Sequence, residues 1–207
     1  MRSDIANNRT NAALTDNNSF SRLVSLAAHD LRTPLATVSG FAKTLTRAGE
    51  LPDPAARYVE MIEAASAQMV ELLDELGLAA RIEGGRYSPT LRDGDTRAFA
   101  DAAAERLGSE RVRVEGAGGT VQVDPEATER AVSALAQCAL RHGGLDIVHV
   151  TAEGAELTVA PITAASAPVV LGEDLRDLGA AVANRLIVAL GGELTLEDDT
   201  LRIRLPE

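Results

Sequence analysis

The clearest capacity for chemistry lies in an adjacent histidine and aspartate, His29 and Asp30, within the run SLAAHDLRTPL at residues 25–35. An imidazole nitrogen with a free lone pair can attack phosphorus. A neighbouring carboxylate assists by accepting a hydrogen bond from the other ring N–H, which fixes the tautomer. The pair therefore predicts a nucleophile at His29 and a tautomer-fixing residue at Asp30.

Polar and helix-bending residues follow within the next two helical turns. Arg32 could screen the charge of a phosphate group near His29. Pro34 removes one backbone donor and can bend a helix, which would create a hinge just beyond the histidine.

Heptad patterns predict two helices that position the histidine, from about Asn18 to Ala48 and from about Pro54 to Ile82. The predicted seam is Val24, Ala28, Leu31, Leu35, Val38, Ala42 and Leu45 on the first helix, and Tyr58, Ile62, Ala65, Met69, Leu72, Leu76 and Ala79 on the second. His29 falls beside the seam, so we expect its ring to be accessible to a partner.

The segment Gly49–Pro54 is expected to separate the two helices, with Asp53 as the N-cap and Pro54 at the first position of the second helix. Two complementary seams make an antiparallel hairpin. Further apolar residues lie beside the seams, and a hairpin alone cannot cover a stripe of that width. These residues are Leu23, Phe41, Met61, Val70 and Leu73. We therefore expect a homodimer that buries them in a four-helix bundle.

A second domain is predicted from about Tyr87, after Gly84 and Gly85, where the pattern changes to short strands and helices. Helices are expected at about 95–107, 125–141 and 171–190, and strands at about 111–115, 120–123, 146–152, 156–160, 193–196 and 201–205. The predicted fold class is α+β, with a helical hairpin followed by an α/β sandwich. The domains are a disordered polar tail at 1–18, the hairpin at 19–84 and the sandwich at 87–207.

The charge and composition of the chain argue against some classes of function. A net charge of −11 and a pI near 4.8 provide no basic stripe for phosphate backbones, so we expect no nucleic-acid partner. The sequence contains no apolar run long enough to span a bilayer, so we also expect no membrane anchor. The single cysteine, Cys138, indicates a reducing compartment, and we expect a cytoplasmic protein.

The run at residues 25–35 resembles the phosphoacceptor box of two-component sensor histidine kinases, because His, Asp, Arg, Thr, Pro and Leu all occur at that family's spacing. The resemblance implies that His29 carries the phosphoryl group and that response-regulator receiver domains are the partners. It places Thr33 where the family positions water for dephosphorylating a partner. It also implies a docking surface formed by Thr37, Gly40, Phe41, Thr44, Leu72 and Leu73.

The second domain resembles the ATP-binding domain of the same kinases, but the residues that should hold ATP are replaced. On the helix that presents asparagines to magnesium in this family, the two positions are Ala134 and Cys138. The place of the D-x-G-x-G box reads PITAA at 161–165, and only Gly179 remains of the first pair in the second glycine box. Asp177 would put a negative charge near the place of the phosphates.

These losses predict a kinase-like fold without ATP binding, with no cofactor and no metal of its own. Magnesium would belong to the receiver. The leading hypothesis is a dimeric histidine phosphotransfer protein of a phosphorelay, with His29, Asp30, Arg32 and Thr33 as its catalytic residues. The alternatives are an atypical active histidine kinase and a pseudokinase that serves as a non-catalytic adaptor or as a receiver phosphatase.

Overall fold

Two structural units divide the chain, residues 1–86 and residues 87–207, and each is described by itself. The structure is a computed structural model that describes the backbone of residues 3–49 and 51–207 and the side chains of residues 20–49 and 51–207.

The first unit is a hairpin of two α-helices, α1 (Ser3–Ala48) and α2 (Ala55–Glu83). Helix α1 begins at Ser3, well before the predicted start near Asn18, so its backbone is helical over residues 3–18 of the predicted disordered tail. That segment contains neither proline nor glycine, so no residue in it breaks a helix. Residues 1 and 2 of the predicted tail lie outside the described residues.

The start of α2 differs from the prediction. Its N-cap is Pro54, without a side-chain hydrogen bond, rather than Asp53, and the first helical residue is Ala55. Backbone carbonyls take the place of a capping side chain, because Pro52 O accepts from Ala55 N at 2.8 Å.

The hairpin buries one heptad stripe of α1, formed by Ala28, Leu35 and Ala42. The alternate seam residues Leu31, Val38 and Leu45 remain 46–54% exposed, so three of the seven predicted seam residues are buried in the hairpin. On α2 the predicted stripe is also displaced. Its members Tyr58, Ile62, Met69 and Leu72 are exposed, whereas the buried residues are Val59, Ser66, Gly77, Leu78 and Ala80.

The second unit is an α/β sandwich. Its helices are α3 (Thr96–Leu107), α4 (Pro125–Gly143), α5 (Ala167–Val170) and α6 (Leu178–Ala189). Its strands are β1 (Arg92–Asp95), β2 (Val112–Gly118), β3 (Thr120–Val123), β4 (Val148–Glu153), β5 (Glu156–Ala160), β6 (Glu193–Glu197) and β7 (Thr200–Arg204). A five-stranded sheet has the order β2-β4-β5-β7-β6, and β1 pairs with β3 in a separate two-stranded sheet.

The core of this unit lies between the five-stranded sheet and the helices. Alternation along the strands directs Val148, Val150 and Ala152 of β4 into the core, together with Leu157 and Val159 of β5. The facing side of α4 contributes ten buried residues, among them Val132 and Leu135. All neighbouring strands of the sheet are antiparallel except β2 and β4, which are parallel.

Two elements of the second unit differ from the sequence prediction. Strand β1 was not predicted, because its sequence RDGD contains no apolar residue. The helix predicted at 171–190 begins only at Leu178, since Asp177 caps α6 by accepting from Ala180 N at 3.0 Å. Upstream of this cap, Gly172 has a φ of +72°, which ends the short helix α5.

Two glycines with positive φ give a matched test of backbone packing. A Cβ atom on Gly116, in β2, would lie 2.1 Å from the carbonyl oxygen of Ala152, whereas a Cβ on Gly154 would meet nothing within 4 Å. Both substitutions carry the strain of positive φ, +87° and +55°, but only one adds a clash.

We therefore expect Gly116→Ala to lower the free energy of unfolding by about 3 kcal/mol and Gly154→Ala by only about 1 kcal/mol. Urea denaturation followed by circular dichroism measures both. Equal losses in the two variants would contradict the close approach of β2 to β4 at Gly116.

Candidate functional site

His29 stands on α1 with its ring in solvent. The side chain is 75% exposed, and its Nδ1 atom lies 3.3 Å from Oδ1 of Asp30. With Nδ1 as the donor to this carboxylate, the lone pair of the neutral ring is on Nε2, which is the nitrogen left for an incoming group. In that tautomer the exposed Nε2 nitrogen carries the lone pair, which is the form that a nucleophile requires.

The exposure of His29 follows from the packing of its neighbour. Ala28 is only 2% exposed because it lies in the stripe that packs onto α2. Each residue of an α-helix turns by about 100°, so burial of Ala28 directs His29 away from the hairpin seam.

Arg32 and Thr33 lie three and four residues after His29, which places them on the same face of α1. The Arg32 guanidinium forms an ion pair with Asp74 on α2, through its Nη2 atom and Oδ1 of the carboxylate. The side chain of Thr33 is exposed. The face around His29 therefore combines a cation held against α2 and an exposed hydroxyl group.

The residues predicted for docking occupy α1 beyond His29 and the facing half of α2. Phe41 is 69% exposed and Leu72 is also exposed, whereas Leu73 is half-buried against the hairpin. Thr37 donates its hydroxyl to Thr33 O at 3.3 Å, and Thr44 donates to Gly40 O at 2.8 Å. Both hydroxyl groups are thus hydrogen-bonded within α1. The exposed surface beside them consists of the Phe41 ring and small residues.

In the second unit, the positions compared with the nucleotide boxes differ in burial: Ala134 and Pro161 are half-buried, whereas Ala164 and Ala165 are exposed. Cys138 is fully buried on α4, and Ile162, within the 161–165 segment, is buried as well. Helix α5 lies between the 161–165 segment and α6 and contributes two fully buried residues, Val169 and Val170. Asn184 of α6 donates to Leu171 O at 3.0 Å, which holds the end of α5.

Asp177 is engaged on both carboxylate oxygens. Oδ1 accepts from Ala180 N, and Oδ2 lies 3.0 Å from Nε2 of His142 on α4. The Cys138 thiol lies in the same cluster, since its Sγ atom and one ligand atom each of His142 and Asp177 lie within 4.8 Å of one another. Burial, and secondly the charge of Asp177, raise the pKa of the Cys138 thiol to about 12.

Sequence reasoning did not find this cluster. The signal on α4 was the i, i+4 spacing of Cys138 and His142, which puts both side chains on one helix face. Asp177 gave no corresponding signal, because it is 35 residues away from His142 in sequence.

Comparison with known proteins assigns the first unit. Residues 21–85 match the family model described as the His Kinase A (phospho-acceptor) domain. The chain is similar to "Probable sensor histidine kinase TcrY" of Mycobacterium tuberculosis (strain ATCC 25618 / H37Rv), with 32% identity over 65 residues. That match covers 31% of this chain and 14% of the relative, so the chain spans only a small part of the relative's length.

Solved structures share the fold over most of the chain. Full-length ShkA in complex with AMPPNP matches with a TM-score of 0.69 and 19% identity, over 89% of this chain and 45% of that chain. The Acinetobacter baumannii histidine kinase AdeS matches with a TM-score of 0.53 and 17% identity, over 86% of this chain and 97% of that chain. At these identities the likeness establishes the fold: a helical hairpin followed by a kinase-type α/β domain.

Hydropathy of the helices adds one observation. Among the described residues, none of the helices has both the length and the apolar character that crossing a bilayer requires.

The raised pKa of Cys138 predicts an unreactive thiol. A shift from 9.0 to about 12 lowers the thiolate fraction at pH 8 by about a thousandfold relative to the unfolded chain. We expect iodoacetamide, in buffer with EDTA, to label Cys138 at least about a hundredfold more slowly in the folded protein than in guanidinium chloride. Mass spectrometry over time measures both rates. Comparable rates would contradict the burial of this thiol.

Proposed function

We propose that this chain, whose residues 21–85 match the His Kinase A (phospho-acceptor) domain, acts as a dimeric histidine phosphotransfer protein of a two-component system. In this proposal His29 accepts a phosphoryl group from the aspartate of one response-regulator receiver domain and donates it to another. The observation that carries the proposal is the exposed imidazole of His29 with Asp30 at its Nδ1 atom.

The transfer needs few protein groups. Nε2 of His29 attacks the phosphorus of the receiver's aspartyl phosphate, an N–P bond forms, and the P–O bond to the aspartate breaks to release its carboxylate. Positive charge that develops on the imidazole is stabilised by Asp30, which accepts the Nδ1–H hydrogen bond. Arg32 lies one turn along the same face and is proposed to turn its guanidinium from Asp74 to the transferring phosphoryl group. The reverse sequence returns the group to a second receiver.

Dimerisation is supported by the apolar surface that the hairpin leaves uncovered. Leu31, Val38 and Leu45 of α1 are exposed, and so are several apolar residues of α2. The exposed members on α2 are Tyr58, Met61, Ile62 and Met69. A four-helix bundle formed by two hairpins would bury such a stripe, as apolar surface of this extent is uncommon on a monomer.

Receiver docking is proposed beside His29, on the surface formed by Thr37, Gly40, Phe41, Thr44, Leu72 and Leu73. An exposed aromatic ring next to small residues is typical of a contact surface. Its position along α1 from His29 would bring a receiver's aspartate near the imidazole.

The absence of ATP binding is proposed from the second unit. A buried Cys138 thiol that stays protonated is a poor ligand for Mg²⁺, which prefers oxygen. The negative charge of Asp177 at the N-terminus of α6 takes the place that would otherwise favour a phosphate. Pro161 replaces the carboxylate that would read the adenine amine, so a base would lose its main polar contact.

A second candidate function is dephosphorylation of a receiver. The exposed hydroxyl of Thr33, one turn from His29, could orient a water molecule toward a receiver's aspartyl phosphate. The two activities differ in what they require. Transfer needs the imidazole of His29, whereas dephosphorylation assisted by Thr33 needs the hydroxyl.

The first experiment tests transfer directly. The wild-type protein, His29→Ala and the control His149→Ala are incubated with a phosphorylated receiver, and label on this chain is followed by gel. We expect wild type and His149→Ala, which removes an exposed histidine of the second unit, to take up label equally, and His29→Ala to take up none.

Label on His29→Ala equal to that on wild type would remove the transfer proposal. If wild type takes up no label but shortens the lifetime of the receiver's phosphate, and Thr33→Ala abolishes that effect, the phosphatase function replaces it. If neither activity appears while the receiver still binds, the chain is a non-catalytic adaptor.

The second experiment concerns ATP. We expect ATP with Mg²⁺ to cause no change in melting temperature and no autophosphorylation at His29, because the nucleotide positions offer neither an amide ligand for Mg²⁺ nor an acceptor for the adenine amine. Thermal denaturation and incubation with labelled ATP measure the two effects. Binding at micromolar ATP, or label that requires His29, would establish the alternative of an atypical active kinase.

A further inference from the structure

Three side chains with metal-binding atoms meet between α4 and the N-terminus of α6: Cys138, His142 and Asp177. From their geometry we propose that they form a binding site for a divalent transition metal ion of the zinc class. The site belongs to the second unit and is independent of the phosphotransfer proposed for His29.

The fold brings these donors together from two directions. Cys138 and His142 lie four residues apart on α4, so both side chains leave the same face of the helix. Asp177 is held from the other side by its capping bond, in which Oδ1 accepts from Ala180 N at 3.0 Å. Its second oxygen, Oδ2, faces Nε2 of His142 at 3.0 Å.

The spacing of the donor atoms suits a tetrahedral ion. Donors at typical zinc distances lie about 3.5 Å from one another. One ligand atom from each of the three side chains lies within 4.8 Å of the others, so the three donors are gathered around one point. The capping bond to Asp177 then acts as an outer hydrogen bond that orients a ligand.

The chemistry of the donors selects the metal. A sulfur, an imidazole nitrogen and one carboxylate oxygen suit Zn²⁺ and Co²⁺, whereas Mg²⁺ demands an octahedral shell of oxygen atoms. Three protein ligands leave a fourth position for water or a small ligand.

Charge and proton balance also favour a divalent ion. The Cys138 thiol loses its proton to solvent as the S–metal bond forms, and the imidazole proton resides on Nδ1 while Nε2 binds the metal. A thiolate and a carboxylate then neutralise the two positive charges. A neutral site is the form that a buried location tolerates best, and here the thiol is fully buried and both partners are mostly buried.

Cobalt gives the sharpest test because its spectrum reports its ligands. The full chain, treated with EDTA and dialysed, is titrated with Co²⁺ and then with Zn²⁺. We expect a thiolate-to-cobalt charge-transfer band in the near ultraviolet, intense visible bands of tetrahedral Co²⁺, and loss of both when Zn²⁺ displaces the cobalt. Zn²⁺ should also raise the melting temperature of the wild type.

The variants separate a built site from binding to a single thiol. Cys138→Ser should lose the charge-transfer band, and His142→Gln and Asp177→Asn should weaken Co²⁺ binding by at least about tenfold. Asn is itself a good N-cap, so Asp177→Asn keeps the start of α6. The control His149→Ala should bind as wild type does.

A wild-type protein without the charge-transfer band would overturn the proposal. So would a band that persists at full affinity in both His142→Gln and Asp177→Asn. Circular dichroism in EDTA checks that each variant folds. Because His29→Ala should bind Co²⁺ as the wild type does, failure of the metal site and failure of phosphotransfer are distinguished.

Discussion

The packing of one stripe of α1 onto α2 is the constraint on which the candidate acceptor site depends. Ala28, Leu35 and Ala42 recur at seven-residue intervals and fix the rotation of α1 about its axis. At the level of His29 the two helices approach closely, because a Cβ on Gly77 would meet the Cβ of Ala28 at 3.9 Å. A shift of the stripe by one residue would turn His29 into the hairpin, where no partner could reach it.

The sequence predicted the two helices and included the buried stripe of α1 in its seam, but not that Leu31, Val38 and Leu45 stay exposed or which stripe of α2 packs inside the hairpin. Both helices carry two adjacent apolar stripes, and periodicity alone does not tell which one faces the other helix of the same chain. The buried stripe of α2 includes Ser66 and Gly77, which are not apolar enough to mark a buried face in the sequence. Tyr58 and Ile62 are strongly apolar, yet they are exposed. The more apolar stripe is therefore the exposed one, whereas smaller residues pack between the helices.

In the second unit, periodicity predicted the order of most helices and strands because the core alternates cleanly along β4, β5 and β7. It missed β1, which has no apolar residue. It also could not bring Asp177 to His142, because that contact depends on how α6 packs against α4 and not on any local pattern. Sequence patterns therefore predicted most helices and strands of this unit. The cluster of Cys138, His142 and Asp177 could be recognised only from the folded structure.

In the second unit, the residues that form the apolar core differ from the residues that carry candidate ligand atoms. Val148, Val150 and Leu157 hold the sheet to the helices through apolar burial, and that burial does not depend on a nucleotide. Positions such as 138 and 177 are free to change chemically as long as they fit the space and satisfy their polar atoms. Cys138 fits as a small buried side chain, and Asp177 satisfies both its oxygens through α6 and His142. The apolar core that holds this kinase-type fold together is thus separate from the polar cluster at Cys138, His142 and Asp177.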